Sequence, residues 1–347
     1  MKKVIDYLKI LLLSFCINVL FGLDGEVIYA PLLEVGDTIG FCAPASYLDK
    51  DRISLAKQRI EKRGYEVIIS DSLFRRYGYL AGSDKQRASE LMNFFIDPKI
   101  KAIFPGTGGY GSTRILEYLD FEIIRENPKI FIGFSDITAI HIAINQLSGL
   151  VTFHTPNPMY GLGSSSGLDT VAGNYFWKFL ETRQINKIPF DFSTDSEKTV
   201  VLKHGIAKGR LVGGNLSLIC STMGSDFEIK TSNKILFIED VGEAPYRIDR
   251  YLQELKLGRK LDSLSGVIIG RFERRKHEPL DKPGDFKMEQ VLDQYFIKLD
   301  IPVIKNFSAG HIKRNISLPM GAMIEINTKM REIKILQTPE SGIDRNF

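Results

Sequence analysis

A serine and a carboxylate stand side by side in the stretch GFSDIT, where Ser135 precedes Asp136. An apolar run typical of a strand comes before them, and a second apolar run with helical spacing follows. A glycine two residues before a serine at such a junction is similar to a nucleophile elbow, although Ile137 replaces the second glycine of G-x-S-x-G. From this pattern alone a helix N-cap serine is the stronger interpretation, and a nucleophile is the alternative.

A serine nucleophile needs a general base, and that base needs a group that orients it. Of the five histidines, His141 lies inside an apolar helical pattern and is expected to be packed. His204 and His277 lie in charged segments that are expected at the surface. His154 ends a predicted strand, and His311 lies in a glycine-flanked loop between apolar runs. Functional side chains are commonly held on such loops and strand ends, so the pattern leaves both His154 and His311 as candidates.

The orienting group is expected in KILFIEDVGEAPYRIDR, where Glu239 and Asp240 follow an apolar run typical of a buried strand. Carboxylates are rarely buried without a partner or a function, so this strand end is a candidate position. The alternative is that these two residues and Glu243 form surface ion pairs with Arg247 and Arg250.

A glycine-rich stretch, PGTGGYGSTRIL at 105–116, follows a predicted strand and opens a predicted helix. Glycines let backbone N–H groups converge on an anion, and a helix N-terminus adds positive potential. We therefore predict a backbone anion hole here, with a tight turn of no ligand role as the alternative. A dinucleotide site is disfavoured, because its glycine fingerprint belongs to the first strand-to-helix turn and this stretch follows the third strand.

The scaffold that must position these groups is predicted to be an α/β protein. The chain has 347 residues, of which 44% are hydrophobic and 25% charged, and its length suggests about two domains. From Gly36 to Pro156 short apolar strands alternate with amphipathic helices, which predicts a parallel sheet covered by helices. After a Gly/Ser loop and a helix containing Trp177, strands dominate, which predicts a second, β-rich domain.

These patterns give the following boundaries: an apolar leader at 1–23, a nucleophile-bearing α/β domain at 30–183, a linker at 184–207, and a C-terminal domain at 208–338. The net charge of +4 comes from scattered basic residues, so no nucleic-acid partner is expected. Cys42 and Cys220 are too few for a disulfide framework and have no metal-ligand spacing. We expect both to be packed, and we expect no metal and no cofactor.

The N-terminus combines a basic start, MKKVIDYLK, with the apolar run ILLLSFCINVLFGL. This pattern is typical of a signal peptide, and the apolar run is short for a membrane span. It predicts export to the periplasm, with cleavage near Gly22, and no membrane partner beyond the leader. The alternative is an uncleaved apolar helix on a cytoplasmic protein. Lipidation at Cys16 is disfavoured by bulky Phe15 before it.

Seven stretches in this order resemble the LD-carboxypeptidase family of serine peptidases, which includes muramoyltetrapeptide carboxypeptidases and microcin-resistance peptidases. Any one stretch is weak evidence for the family, whereas all seven in this order are specific to it. The similarity extends from about Pro31 to Leu336. The stretches are PLLEVGDTIGFCAPAS, GGYGSTRIL, GFSDITAI, LVTFHTPNPM, RLVGGNLSLI, LFIEDVGEAPYRIDRYL and GHIKRNISLPMGA.

The resemblance implies a triad of Ser135, Glu239 and His311, and so favours His311 over His154 as the base. It implies an oxyanion hole formed by the backbone N–H groups of Gly109 and Asp136. It also implies a Rossmann-like N-terminal domain, a β-rich C-terminal domain, a site in the cleft between them, and a homodimer. The implied reaction removes the terminal D-Ala from the L,D bond of a peptidoglycan stem tetrapeptide, so the expected partner is a muropeptide or short peptide.

Two departures from the family pattern concern the cleft: Thr107 stands where the family often has Arg, and HTP at 154–156 stands where it often has HGP. Three alternatives to the tetrapeptide reaction remain. One is hydrolysis of aminoacyl-nucleotide or peptide antibiotic conjugates, as in self-immunity. The second is a non-enzymatic, exported muropeptide-binding protein, and the third is a nicotinamide-dependent dehydrogenase.

Overall fold

The computed structural model describes residues 26–70, 73–182, 184–192, 197–274 and 283–336. The predicted leader at 1–23 and His277 lie outside these described residues. Within the described ranges, no helix is both long enough and apolar enough to cross a membrane.

The first half of the chain alternates strands with helices. In chain order its elements are β1 (Thr38–Cys42), α1 (Lys50–Glu61), β2 (Glu66–Ile69), α2 (Asp84–Ile96), β3 (Ile100–Pro105), a 3₁₀ helix (Thr113–Tyr118), α3 (Phe121–Glu126), β4 (Ile130–Gly133), a 3₁₀ turn (Ser135–Ile137), α4 (Thr138–Leu147), β5 (Thr152–His154), a π-helical turn (Pro158–Leu162) and α5 (Thr170–Glu181).

The second half is richer in strands. In chain order its elements are β6 (Lys187–Pro189), β7 (Val200–Lys203), β8 (Ile206–Asn215), α6 (Leu216–Ser221), β9 (Ile235–Val241), α7 (Pro245–Leu257), β10 (Gly266–Glu273), α8 (Met288–Phe296), β11 (Val303–Lys305), β12 (Leu318–Met320), β13 (Met323–Asn327) and β14 (Glu332–Ile335).

These strands form two sheets. The first has the order β12-β5-β4-β3-β1-β2, and all of its pairs are parallel except that between β12 and β5. The second has the order β6-β14-β13-β8-β9-β10-β11-β7, with parallel pairs from β8 to β11 and antiparallel pairs outside them. The predicted fold class is thereby confirmed: a parallel α/β sheet with a β-rich second unit.

The helices of the first unit form where local signals coincide with apolar spacing. In α1, Asp49 caps the N-terminus by accepting a hydrogen bond from the Arg52 N–H, and Ile53, Ala56 and Ile60 are buried on one face. In α2, a capping box between Ser83 and Gln86 satisfies the first turn.

Two expectations about elements need correction. The range 184–207, predicted as a linker, contains β6 and β7, which are the two edge strands of the second sheet. Both strands are short, with three and four residues, so neither carries a pattern long enough to be recognised as a strand. The helix predicted to follow the glycine-rich stretch is a 3₁₀ helix over Thr113–Tyr118 without a side-chain cap, and Asp120 caps α3 directly after it. The segment is therefore too short to continue as an α-helix.

The two sheets share part of one hydrophobic core. Phe104 of the first sheet, Phe237 of the second and Phe176 of α5 belong to the same buried cluster. The strand β12 returns from the second unit to the first sheet, where Leu318 pairs with His154. This shared burial fixes the carboxyl ends of β4 and β9 relative to each other.

The strand order of the first sheet reverses between β1 and β3, because the chain runs outward in both directions from this pair. In open α/β sheets ligands bind outside the carboxyl ends of the strands at such a switch point. The segments that follow β1, β3, β4 and β5 meet at this edge, and they include the glycine-rich stretch and GFSDIT.

Candidate active site

Ser135 lies on a sharp turn directly after β4. Its backbone φ is +63°, a left-handed conformation that non-glycine residues rarely adopt, and Gly133 before it has a φ of +147°. The first residues of α4 have no side-chain cap, and the residue at its N-cap position is Ile137. The N-cap interpretation of Ser135 is therefore wrong. The turn instead presents the hydroxyl to a cavity that Ser135 helps to line.

The glycine-rich stretch packs against this turn by its backbone. A Cβ on Gly108 would lie 3.0 Å from the Asp136 nitrogen and 3.1 Å from the Ser135 Cβ. Gly109 has a φ of +92°, and a Cβ there would collide with the Ser46 hydroxyl. These two positions require glycine, and the close approach brings the Gly109 segment next to the backbone N–H of Asp136.

The Asp136 side chain joins these two segments. Its Oδ2 accepts a hydrogen bond of 2.8 Å from the Ser112 N–H, and the Ser112 hydroxyl donates to the Asp136 carbonyl. The carboxylate is 1% exposed, and burial raises its pKa, while hydrogen bonds from the backbone of Ser112 and Gly111 oppose that rise. The carboxylate beside the serine thus links the glycine-rich stretch to the turn that carries Ser135.

Arg87 supports the same region from α2. This fully buried guanidinium donates to the carbonyls of Pro44 and Gly111 and forms an ion pair with Asp84. It therefore holds the segment after β1 and the segment after β3 together. Ser46 adds a second link, because its hydroxyl accepts a hydrogen bond of 3.0 Å from the Tyr110 N–H.

Glu239 and His311 form the other half of the site. Glu239 lies near the carboxyl end of β9, two residues before its last residue, and is fully buried, and its Oε2 is 2.7 Å from Nδ1 of His311. Glycine at position 310 allows the loop to come this close to Glu239, because a Cβ there would lie 2.9 Å from Oε2. The φ of Gly310 is +125°, which also favours glycine. The Asn315 Oδ1 accepts a hydrogen bond of 3.0 Å from the Gly310 N–H and so fixes the loop.

His311 faces Ser135 across the cavity. Both residues line it, and the His311 ring lies 4.9 Å from the ring of Phe134, the residue before the serine. The structure thus brings Ser135, His311 and Glu239 to one place, although they are far apart in sequence. The Gly109 segment lines the same cavity, which has a volume of about 730 Å³, within the range of small-molecule sites.

His154 and His141 are not at the cavity. His154 is 1% exposed and lies between the rings of Phe134 and Phe237, and burial holds its pKa well below the ordinary value. Neither of its ring nitrogens has a hydrogen-bond partner among the described residues. His141 is packed as predicted, with Nδ1 2.8 Å from the Thr152 hydroxyl and Nε2 3.0 Å from the Gly133 carbonyl. Of the two histidines left open by the pattern, only His311 reaches the cavity.

Asp240 is buried beside Glu239 but points to a different network. It accepts hydrogen bonds from the Asn215 side chain at 3.1 Å and from the Ser217 N–H at 2.9 Å. Burial, together with the nearby Glu239 charge, raises the pKa of Asp240 to about 7. The Asn215 N–H in turn donates to the Thr138 hydroxyl at 3.0 Å, so this network links β9 to the start of α4.

The surface ion-pair alternative for these acidic residues holds for Glu243 alone of the three. Glu243 pairs with Arg247 at 3.2 Å on α7, whereas Glu239 and Asp240 are buried. Both Cys42 and Cys220 are buried free thiols, which confirms that they pack as small side chains.

Sequence reasoning missed Arg87, Asn215 and Asn315 as residues that support the site. Arg87 was detectable, because it lies four residues before buried Leu91 on the apolar face of α2. Asn215 and Asn315 act through contacts with segments distant in sequence, and no local pattern marks them.

The fold and the cavity define a two-unit α/β enzyme with a serine turn at a strand end and a Glu–His pair facing it. The LD-carboxypeptidase N-terminal domain matches residues 39–155, and the LD-carboxypeptidase C-terminal domain matches residues 208–326. The chain therefore belongs to the LD-carboxypeptidase family and is a peptidase. The resemblance carried by the seven stretches is thereby confirmed.

Individual relatives agree with this assignment. The chain is 41% identical over 300 residues to a probable murein peptide carboxypeptidase of Bacillus subtilis, covering 85% of this chain and 90% of the relative. It is 30% identical to the microcin C7 self-immunity protein MccF of Escherichia coli, covering 91% and 97%. A solved structure of MccF bound to adenosine monophosphate matches with a TM-score of 0.80 at 27% identity, covering 90% and 100%. The muramoyltetrapeptide carboxypeptidase of Oxalobacter formigenes matches with a TM-score of 0.75 at 25% identity, covering 87% and 99%.

Proposed function

We propose that this protein is a serine carboxypeptidase that removes the terminal D-Ala from the L,D bond of peptidoglycan stem tetrapeptides. The observation that carries the proposal is the short contact between Glu239 and His311 at a cavity that Ser135 also lines. The names of two relatives, a murein peptide carboxypeptidase and a muramoyltetrapeptide carboxypeptidase, support the substrate class.

In this mechanism the Ser135 hydroxyl attacks the carbonyl carbon of the last peptide bond, and His311 accepts the hydroxyl proton. Glu239 holds the imidazole in one tautomer through Nδ1 and stabilises its positive charge. The C–N bond then breaks, and His311 returns the proton to the amine of the departing D-Ala. Water, activated in the same way by His311, hydrolyses the acyl-serine and releases the shortened peptide.

The tetrahedral oxyanion is held by the backbone N–H groups of Gly109 and Asp136. The proposal is supported by the close packing of the Gly108 backbone on the Asp136 nitrogen, which puts the two donor segments side by side. Removing one such donor costs about 3–4 kcal/mol of transition-state stabilisation in other serine hydrolases. The Asp136 side chain takes no proton in this scheme. Its role is to hold the two donor segments together through Ser112.

Defined stem peptides test this function directly. The purified chain is incubated with tri-, tetra- and pentapeptide stems, and the products are read by mass. We expect loss of one D-Ala from the tetrapeptide alone, and we expect Ser135→Ala to abolish it while remaining folded. Activity of that variant at the wild-type rate, or no reaction of the wild-type chain with any stem, would contradict the proposal.

The mechanism assigns every step to side chains and backbone groups of this chain. Dialysis against a chelator is therefore expected to leave the D-Ala release rate within about two-fold of its starting value. A loss that returns on adding a divalent metal would show that a step has been omitted.

A second candidate substrate is an aminoacyl-nucleotide or peptide antibiotic conjugate. It is favoured by the 30% identity to MccF over nearly its whole length. Competition between the tetrapeptide and an aminoacyl sulfamoyl nucleoside distinguishes the two. The proposal expects kcat/KM for the tetrapeptide to be the larger.

Two further parts of the proposal concern the whole protein. Export rests on the leader pattern at 1–23, and cell fractionation tests it, since a full-length chain found only in the cytosol would reject it. A homodimer rests on the family resemblance, and light scattering of the purified chain tests it.

A further inference from the structure

One of the described residues in the wall of the cavity is a lysine. Lys313 lies two residues after His311, is exposed, and lines the cavity. Among the described residues that line it, Lys313 is the one Lys or Arg, and there is no Asp or Glu. A cavity with a single cation and no carboxylate attracts a ligand that carries a negative charge.

In the part of the chain that the structure describes, Lys313 has no counter-ion. Within the described ranges no carboxylate lies within ion-pair distance of its ammonium group, whereas the neighbouring Arg314 is paired with Asp169 at 3.0 Å. Two adjacent cations are thus used differently: Arg314 joins the loop to the start of α5, and Lys313 is left to the cavity. A hydrogen bond from an ammonium group to a carboxylate is among the stronger ones that a site can offer.

The reach of the side chain suits a group next to the scissile bond. Consecutive Cα atoms are about 3.8 Å apart, so the Lys313 Cα lies within about 7 Å of the His311 Cα. In a peptide cut at its last bond, the terminal carboxylate belongs to the residue immediately after the attacked carbonyl, about 4 Å away. The flexible four-carbon stem of a lysine spans such a separation.

We propose that Lys313 binds the terminal carboxylate of the substrate and thereby restricts cleavage to the last peptide bond. The inference rests on the proposed function, and it names the residue that makes the enzyme a carboxypeptidase. A peptide that continues beyond the cut, or whose terminus is amidated, presents no charge at this position. Such a peptide therefore lacks the interaction between its terminus and Lys313.

The test compares a tetrapeptide ending in D-Ala with the same peptide ending in D-Ala amide. For the wild-type chain kcat/KM is expected to be about 10- to 100-fold higher for the free acid, which is the range of a hydrogen bond to a charged group. Lys313→Met should lower kcat/KM for the acid by that factor, mainly by raising KM, and leave the amide within about two-fold. Lys313→Arg should restore the preference, and Lys313→Glu should favour the amide.

Lys329→Met is the matched control, because Lys329 is an exposed lysine on the turn between β13 and β14. It should leave both rates unchanged. An acid-to-amide preference in Lys313→Met equal to that of the wild-type chain would overturn the inference and leave the proposed function standing. Failure of the wild-type chain to release D-Ala from either peptide would instead contradict the proposed function, and this inference with it.

Discussion

The ends of β4 and β9 hold the residues of the candidate site in different ways. At the end of β4 the backbone determines the position: Ser135 has a φ of +63°, and the Gly108 backbone packs against it. At the end of β9 side chains determine it, through the 2.7 Å contact between Glu239 and His311. In the proposed mechanism the first unit therefore positions the hydroxyl and the N–H donors by its backbone, and the second positions the proton carrier by side-chain contacts.

Because of this difference, substitutions at the two strand ends should affect activity and stability differently. A substitution at the β9 end should remove proton transfer and leave the fold unchanged. A substitution at the β4 end should disturb the backbone, so that stability and activity change together. Four experiments distinguish loss of proton transfer from disturbance of the backbone.

Glu239→Gln should lower kcat by about 10³-fold, because the amide no longer stabilises the imidazolium or fixes its tautomer. Steady-state kinetics on the tetrapeptide measure the loss, and circular dichroism should show an unchanged fold. Glu243→Gln is the matched control, since it removes a carboxylate four residues further on that forms a surface pair with Arg247. Equal losses in the two variants would contradict the role given to Glu239.

Acid should weaken the β4 region through His141, which is bonded to the Gly133 carbonyl just before the turn. Burial lowers the pKa of His141 to about 4 from its ordinary value of 6.5. The unfolded chain therefore binds a proton before the folded chain does, and stability is full above pH 6.5 and falls as the pH drops towards 4. Over that interval the loss in unfolding free energy is about 3 kcal/mol from this group.

Urea unfolding at a series of pH values measures this dependence of unfolding free energy on pH. Buried His154 also lowers the unfolding free energy as the pH falls, because its pKa is lowered by burial as well. The matched control is His204→Gln, because His204 is exposed and its removal should leave the slope unchanged. The dependence of unfolding free energy on pH should be shallower in His141→Gln than in the wild-type chain, and an equal dependence in that variant would show that His141 is not held neutral.

Asp136→Ala should lower kcat by about 10-fold and the unfolding free energy by about 1–3 kcal/mol, because the buried Ser112 N–H loses its acceptor. Asp136→Asn keeps an acceptor oxygen in the same place, so this variant should retain most of the wild-type kcat and unfolding free energy. The pair of variants distinguishes a positioning role from a chemical one. If the two variants were equally inactive, the carboxylate charge itself would be required.

Ser135→Gly should be more stable than Ser135→Ala by about 0.5–1 kcal/mol. A side chain costs about 1–2 kcal/mol in the left-handed conformation, and the larger entropy of unfolded glycine offsets part of the gain. Both variants lack the hydroxyl, so the comparison isolates the backbone. Higher stability of the alanine variant would mean that the turn is not strained.

The fold was largely predictable from the sequence, because most strands and helices carry their own local signals. The alternation from 36 to 156 predicts the first sheet, and the buried face of α1 matches Ile53, Ala56 and Ile60. The edge strands β6 and β7 were not predictable in this way, since their pairing partners and not their composition make them strands. Sequences of three and four residues carry too little pattern to predict a strand.

The site was only partly predictable from local patterns. GFSDIT favoured an N-cap, and only the folded chain shows a serine in a left-handed turn with Asp136 holding Ser112. The pattern could not choose between His154 and His311, because burial by Phe134 and Phe237 is a tertiary property. Resemblance to a family supplied that choice, and the contact with Glu239 agrees with it.

Covalent labelling tests whether Ser135 is a nucleophile activated by His311. A fluorophosphonate that reacts with activated serines is added to the wild-type chain, and peptide mass mapping locates the adduct. We predict one adduct, on Ser135, formed at least about 100-fold more slowly in His311→Gln, since the base contributes that much to activation. Labelling of Ser135→Ala at the wild-type rate, or of His311→Gln at an undiminished rate, would contradict it.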